Sequence, residues 1–387
     1  MNEPAFLPFA LPDFDEREVE AVAGVIRSGW LTTGPITREF ESRFAEAVGS
    51  RFAVAVNSCT AALHLSLEGI GLQAGERVVT TPYTFAATAE VVEYFGATPV
   101  FVDVEPGSLN LNPERLEAAL QGGARAIILV HFAGEPCDLL EISRLAKKYG
   151  VPVIEDAAHA LPSKFLGETI GHHSTATCFS FYATKTLVTG EGGMLCTDDE
   201  ALADRARVMS LHGITRDAWK RYTEAGSWFY EIDAPGFKYN MTDMAAALGL
   251  VQLEKLDVMW QRRKAIASAY DSAFSEIPEL QIPHHDPRNQ HAWHLYVLRL
   301  QLGRLSIDRA QFIEELKARR IGASVHFIPL HIHPYYRKKY GYSPTDFPVA
   351  SEEYQRALSL PIYSKMNDGD IERVIHAVKD IVATHRR

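Results

Sequence analysis

The chain has 387 residues, 47% of them hydrophobic and 23% charged, the balance of an ordinary globular protein with room for one large and one smaller domain. A formal charge of -10 without any block of Lys or Arg argues against broad nucleic-acid binding, so an anionic ligand needs a local basic site. No apolar run approaches the length of a membrane span, which argues against a membrane protein. Cys59, Cys137, Cys178 and Cys196 form no Cys-x-x-Cys pair, and no basic region followed by an apolar run opens at Met1. A reducing cytoplasm is therefore the expected home.

Residues 14–28 read as a helix with Val19, Val22, Val25 and Ile26 on one face, broken by Trp30-Leu-Thr-Thr-Gly34-Pro35. Strands are predicted at 52–56, 77–81, 99–103, 126–130 and 151–155. Helices at 60–68, 86–95, 113–120 and 139–149 alternate with them. β-Branched runs buried on both faces imply an α/β fold with a mostly parallel sheet between helices. Such sheets bind ligands at the carboxyl ends of their strands. Asn57, Tyr83, Asp156 and the 180–190 loop all follow strand ends and are expected to converge on one crevice. After residue 193 the pattern changes. A long helix over 242–274 is expected to join a large domain, residues 1–260, to a small α+β domain, residues 261–387. The small domain contains a strand at 292–300 and helices at 308–319 and 371–384.

The most informative stretch is Phe179-Ser-Phe-Tyr-Ala-Thr-Lys185-Thr-Leu-Val-Thr-Gly-Glu-Gly-Gly193, preceded by Ile154-Glu-Asp156-Ala-Ala-His159. A strand ending in Asp, followed by a Lys in a glycine-rich turn, suits pyridoxal phosphate (PLP). That cofactor needs an amine for its Schiff base and a carboxylate to keep its pyridine nitrogen protonated. Lys185, held among apolar groups, has a lowered pKa and is a competent nucleophile. Asp156 either partners the ring nitrogen or caps a following helix. His159 either meets the cofactor's phenolic oxygen or Asp156, or is a core histidine satisfied by backbone. Ser58, Cys59 and Thr60 open a helix whose free amides make an anion site, though capping alone also selects Ser or Thr. Ser180 is a second hydroxyl for a phosphate, and Phe85 can stack on a flat ring or pack in the core. Lys238 and Asn240 precede the long helix and can reach an anion or form a polar loop. No metal site is expected.

Together these segments resemble the DegT-type nucleotide-sugar aminotransferases, a fold-type I PLP family, from about Pro12 to the C-terminus. The resemblance implies a homodimer with active sites shared across the interface. It matches Lys185 to the Schiff-base lysine, Asp156 to the pyridinium partner, and Ser58, Thr60 and Ser180 to phosphate contacts. Phe85 matches the stacking aromatic, and the Lys238–Asn240 loop a segment reaching the neighbouring subunit's phosphate site. Trp30 and Thr32 fall in the family's N-terminal substrate loop, and Tyr182 and His326 are sugar or carboxylate contacts or buried structural residues. Many members carry Gly where Cys59 stands and Gln where His159 stands. The His and the Phe-Lys-Tyr-Asn run are most similar to the branch acting on UDP-linked 4-keto sugars, such as the aminoarabinose-forming enzymes.

The implied reaction moves an amino group from L-glutamate, released as 2-oxoglutarate, to a keto sugar carried on a nucleotide diphosphate. Alternatives are amination at C3 or of a cyclitol, and a non-catalytic PLP-binding regulator. A sugar dehydrase of the same fold carries His in place of Lys185. A Rossmann dinucleotide binder fails for want of Gly-x-Gly-x-x-Gly opening an early helix.

Overall fold

The computed structural model describes residues 5–214 and 229–387. The strands, in chain order, are β1 (Phe52–Val56), β2 (Arg77–Thr80), β3 (Thr98–Phe101), β4 (Ala126–Val130), β5 (Val153–Asp156), β6 (Lys164–Phe165), β7 (Glu168–Thr169), β8 (Ala176–Ser180), β9 (Gly193–Thr197), β10 (Leu280–Gln281), β11 (Tyr296–Leu300) and β12 (Ala357–Leu360). Seven of them form the large sheet, in the order β1-β9-β8-β5-β4-β2-β3. Pairs β2–β3, β2–β4, β4–β5 and β5–β8 are parallel, and β9 runs antiparallel to both β8 and β1. The β1, β5 and β8 carboxyl ends therefore share one edge.

Period-two alternation decides which core each strand residue enters. Val79, Ile127 and Leu129 join Phe40, Phe44, Leu116, Ile142 and Leu145 on one face. Val78, Ala126, Ile128 and Ile154 join Leu63, Leu65, Val91 and Ala203 on the other. Both faces of the sheet are thus covered by helices, as near-continuous apolar strands require. A second sheet, β10-β11-β12, is antiparallel. It packs in a separate core with Phe312, Val374 and Val378. The helix Asp243–Phe274 serves both cores. Ala246 and Leu256 enter the first, and Ile266, Tyr270 and Phe274 the second.

Several sequence expectations need correcting. The helix Glu16–Ser28 does not bury the predicted apolar face: Val19 and Ile26 are 58% and 56% exposed. It docks through Val25 and through Glu18, whose carboxylate meets Lys255 Nζ at 2.6 Å and Gln252 Nε2 at 2.7 Å on the long helix. A helix at Pro35–Val48 follows the Gly34-Pro35 break directly, because Pro is well suited to a helix's first turn. Asp243 ties its start by accepting from the Gly34 and Thr37 amides at 2.8 and 2.9 Å. β5 extends to Asp156, which is its last residue and not a cap beyond it. The strand expected from 292 begins at Tyr296, because Trp293 has φ 54 and turns the chain out of extended geometry.

Candidate active site

A cavity of about 570 Å³ opens at the shared carboxyl edge of β1, β5 and β8. Asp156 ends β5, Ser180 ends β8, and Lys185 lies in the turn leading to β9. Ser58, Cys59 and Thr60 enter from the N-terminus of the helix Cys59–Gly69, which follows β1. Phe85, His159, Tyr182 and His326 complete the set of predicted residues that line it. Gly193 makes this convergence possible. A side chain there would meet the Ser58 carbonyl carbon at 2.4 Å and the Cys59 amide at 2.6 Å, so β9 can reach the helix start only as glycine.

Burial lowers the Lys185 pKa to about 8, against a weaker opposing pull from Asp156. Asp156 is itself buried, and the lost hydration pushes its carboxyl up. Its oxygens accept from Thr88 Oγ1 at 2.7 Å and the Ala158 amide at 3.2 Å, both neutral donors. Among the described residues no cation pairs with it directly. A dry carboxylate in this state is incomplete, and a cationic ligand would complete it.

His159 is held neutral by burial, with Lys185 and His326 adding to the effect. Its Nδ1 accepts the Ala133 amide at 3.3 Å, so the ring proton sits on Nε2. No hydrogen bond joins it to Asp156 among the described residues. Ser58 Oγ caps the helix by accepting from the Ala61 amide at 3.1 Å. The Cys59 and Thr60 amides, at the positive end of the helix, are left for an anion.

Four predicted residues stand apart from this cavity. Trp30 donates from Nε1 to its own loop at Thr33 O (3.2 Å), and Thr32 O accepts the Asp243 amide (3.2 Å). Asn240 Nδ2 donates to Thr33 Oγ1 at 2.7 Å, and Lys238 O accepts from Asn57 Nδ2 at 3.2 Å. Tyr83 and Asn57, expected in the crevice, do not line it. Tyr83 is fully buried in a cluster with Phe132 and Leu295, while Asn57 is exposed. Sequence reading also missed Thr88, which gave no signal because its link to Asp156 spans 68 residues.

Known proteins share this fold. The model of the DegT/DnrJ/EryC1/StrS aminotransferase family matches residues 12–379. The chain belongs to that family. This DegT-type aminotransferase is 50% identical over 378 residues to the spore coat polysaccharide biosynthesis protein SpsC of Bacillus subtilis, covering 97% of each chain. It superposes on Spr1654 of Streptococcus pneumoniae, a proposed sugar aminotransferase solved in PLP, PMP and apo forms. The PMP form gives a TM-score of 0.92 at 32% identity, covering 98% of this chain and 99% of that one. Helicobacter pylori PseC, an aminotransferase of pseudaminic acid biosynthesis, gives a TM-score of 0.91 at 27% identity over 98% of this chain and 100% of its own. The DegT-type enzyme is a PLP-dependent sugar aminotransferase. Its cavity suits PLP: a partly neutral lysine, a buried carboxylate lacking a cation, and a helix N-terminus with unspent amides meet in one space.

Proposed function

We propose that this enzyme moves an amino group from L-glutamate to C4 of a UDP-linked keto sugar destined for a polysaccharide. The observation that carries the reading is the meeting of Lys185 and Asp156 in one cavity. The His159 and Phe-Lys-Tyr-Asn variants and the SpsC and PseC relatives support the sugar assignment.

When bound, PLP supplies an electron sink for the pair left behind when a carbon loses its proton. Lys185 would hold the cofactor and, as a partly neutral buried amine, could accept and return a proton at Nζ. Asp156 would keep the ring nitrogen protonated through its negative charge. His159, whose ring proton sits on Nε2, would donate to the cofactor's phenolic oxygen. Ser58, Thr60 and Ser180 would hold the phosphate with the helix amides, beside Cys59, and Phe85 would cover the ring. Tyr182 and His326 contact substrate.

Lys238, Asn240, Trp30 and Thr32 lie outside the cavity of their own chain, in keeping with a homodimer in which they serve the partner's site. Exposed Val19, Ile26, Leu31 and Val258 offer apolar surface for such an interface. All four cysteines are buried free thiols, which agrees with a cytoplasmic home. Among the described residues no helix is long and apolar enough to cross a membrane.

A panel of UDP-, dTDP- and GDP-linked 4-keto sugars, with a nucleotide-linked 3-keto sugar and a cyclitol ketone beside them, incubated with PLP and L-glutamate, tests the assignment by product mass. The UDP sugar is expected to give the amino product fastest. Amination of only 3-keto sugars or cyclitol ketones would overturn the C4 reading.

A further inference from the structure

His294 lines the same cavity as Lys185 but has no role in the reading above. Its ring centroid lies 4.4 Å from that of His159, tilted by 37°. The residue is 6% exposed, and its Nδ1 is sealed from solvent without a hydrogen-bond partner. Buried polar atoms left this way are rare and costly, and each calls for an explanation.

The surrounding backbone is built to hold the ring in place. Arg263, buried beneath it, donates from Nη1 to the carbonyls of Trp293 (3.2 Å), His294 (3.3 Å) and Ile362 (2.7 Å). The Ala292 amide donates to Gly134 O at 2.9 Å and the Leu295 amide to Ala133 O at 3.2 Å. Ala133 donates its own amide to His159 Nδ1. A single loop, 133–134, therefore orients both histidines. Ala133 and Trp293 both sit in left-handed backbone, at φ 58 and 54, a cost for non-glycine residues that concentrates where geometry serves a site.

The cavity's other two histidines already spend a ring nitrogen on the protein. His159 Nδ1 takes the Ala133 amide, and His326 Nδ1 pairs with Ser359 Oγ at 2.9 Å. Among the described residues, His294 has no ring hydrogen bond. Burial keeps it neutral, with His159, Lys185 and Arg263 adding to the effect. A neutral imidazole offers one donor and one acceptor, the complement of a hydroxyl. A glutamate carboxylate is better met by a cation.

We propose that His294 hydrogen-bonds a hydroxyl of the keto sugar through Nε2, the ring nitrogen that is neither sealed off nor bonded to the protein, and so determines specificity for the amino acceptor, not the donor. This rests on the keto-sugar reading given above. The two half-reactions separate the claims. His294→Phe keeps the ring's bulk and removes both nitrogens. It should take up PLP and react with L-glutamate within about threefold of wild type, while kcat/KM for the keto sugar falls about 10- to 100-fold. Calorimetric affinity for a UDP-hexose lacking the keto group should fall in parallel, and His294→Gln should recover part of it. Equal losses in both half-reactions, or an unchanged sugar step and affinity, would overturn the proposal. If the Phe variant does not fold, wild type is tested against singly deoxygenated UDP-hexoses. One should bind at least about tenfold more weakly, and uniform affinity across the series would overturn the proposal. A wild type inert toward L-glutamate would instead sink the aminotransfer reading itself, a distinguishable failure.

Discussion

Lys185 owes its chemistry to where the fold puts it. In water a lysine is almost wholly protonated near neutrality, yet burial brings this one to about 8. Roughly one tenth of the amine is then neutral at pH 7, and most of it at pH 9. Because only the neutral amine attacks, the rate at which cofactor-free protein takes up PLP should climb through pH 8 and level off above 9. Stopped-flow absorbance at constant ionic strength checks this, and a rate still rising steeply at pH 10 would contradict it. Lys185 and Asp156 were legible in the sequence because each residue type is unusual at its place, one ending an apolar strand and the other in a glycine-rich turn. Thr88 and His294 were not legible. Their meaning depends on tertiary contacts with Asp156 and His159, and His294 was concealed in an apolar run that reads as strand.

At the scale of elements, β4 and β5 must stay in register for Asp156 to reach the cavity. Their ends are fastened by a buried pair just behind the site. His131, in the residue after β4, donates from Nε2 to Glu155 Oε2 at 2.7 Å, and its Nδ1 accepts the Cys137 amide at 3.0 Å. Both side chains are fully buried. Burial pushes the Glu155 carboxyl up, but the His131 bond and charge outweigh this and hold it below its usual range. His131→Phe takes the donor from Glu155 Oε2, leaving neutral hydroxyls such as Thr177 Oγ1 at 3.3 Å from Oε1, and should cost about 3 kcal/mol. Urea unfolding monitored by circular dichroism gives the value, and a loss under 1 kcal/mol would show that Glu155 finds another partner. The parallel strands could be read from their apolar runs, since each is covered on both faces. Other elements could not. The antiparallel insertion of β9 is set by pairing between distant segments, and the helix Pro35–Val48 hides behind Gly34-Pro35, which reads as a break although Pro is a good first helical residue. The misjudged face of the Glu16–Ser28 helix has a related cause. Its docking uses a charged residue, Glu18, that a hydrophobic pattern cannot detect.

On the scale of the whole molecule, apolar side chains left exposed on neighbouring helices require an explanation. Val258 on the long helix is 74% exposed and Ile26 on the first helix 56%. In the proposed homodimer a second 43.1 kDa chain covers them. Sedimentation equilibrium should give twice the chain mass, and the Ile26→Glu, Val258→Arg double variant should shift it toward monomer. A wild-type monomer at micromolar concentration would contradict the shared-site reading. The central claim, aminotransfer through Lys185, is tested most directly by adding L-glutamate to PLP-loaded protein and recording the visible spectrum. Wild type should lose the absorbance of the lysine-bound cofactor and gain that of the pyridoxamine form, releasing 2-oxoglutarate. Lys185→Ala should show no lysine-bound band and no turnover. A Lys185→Ala protein that keeps both the band and full turnover would contradict the account.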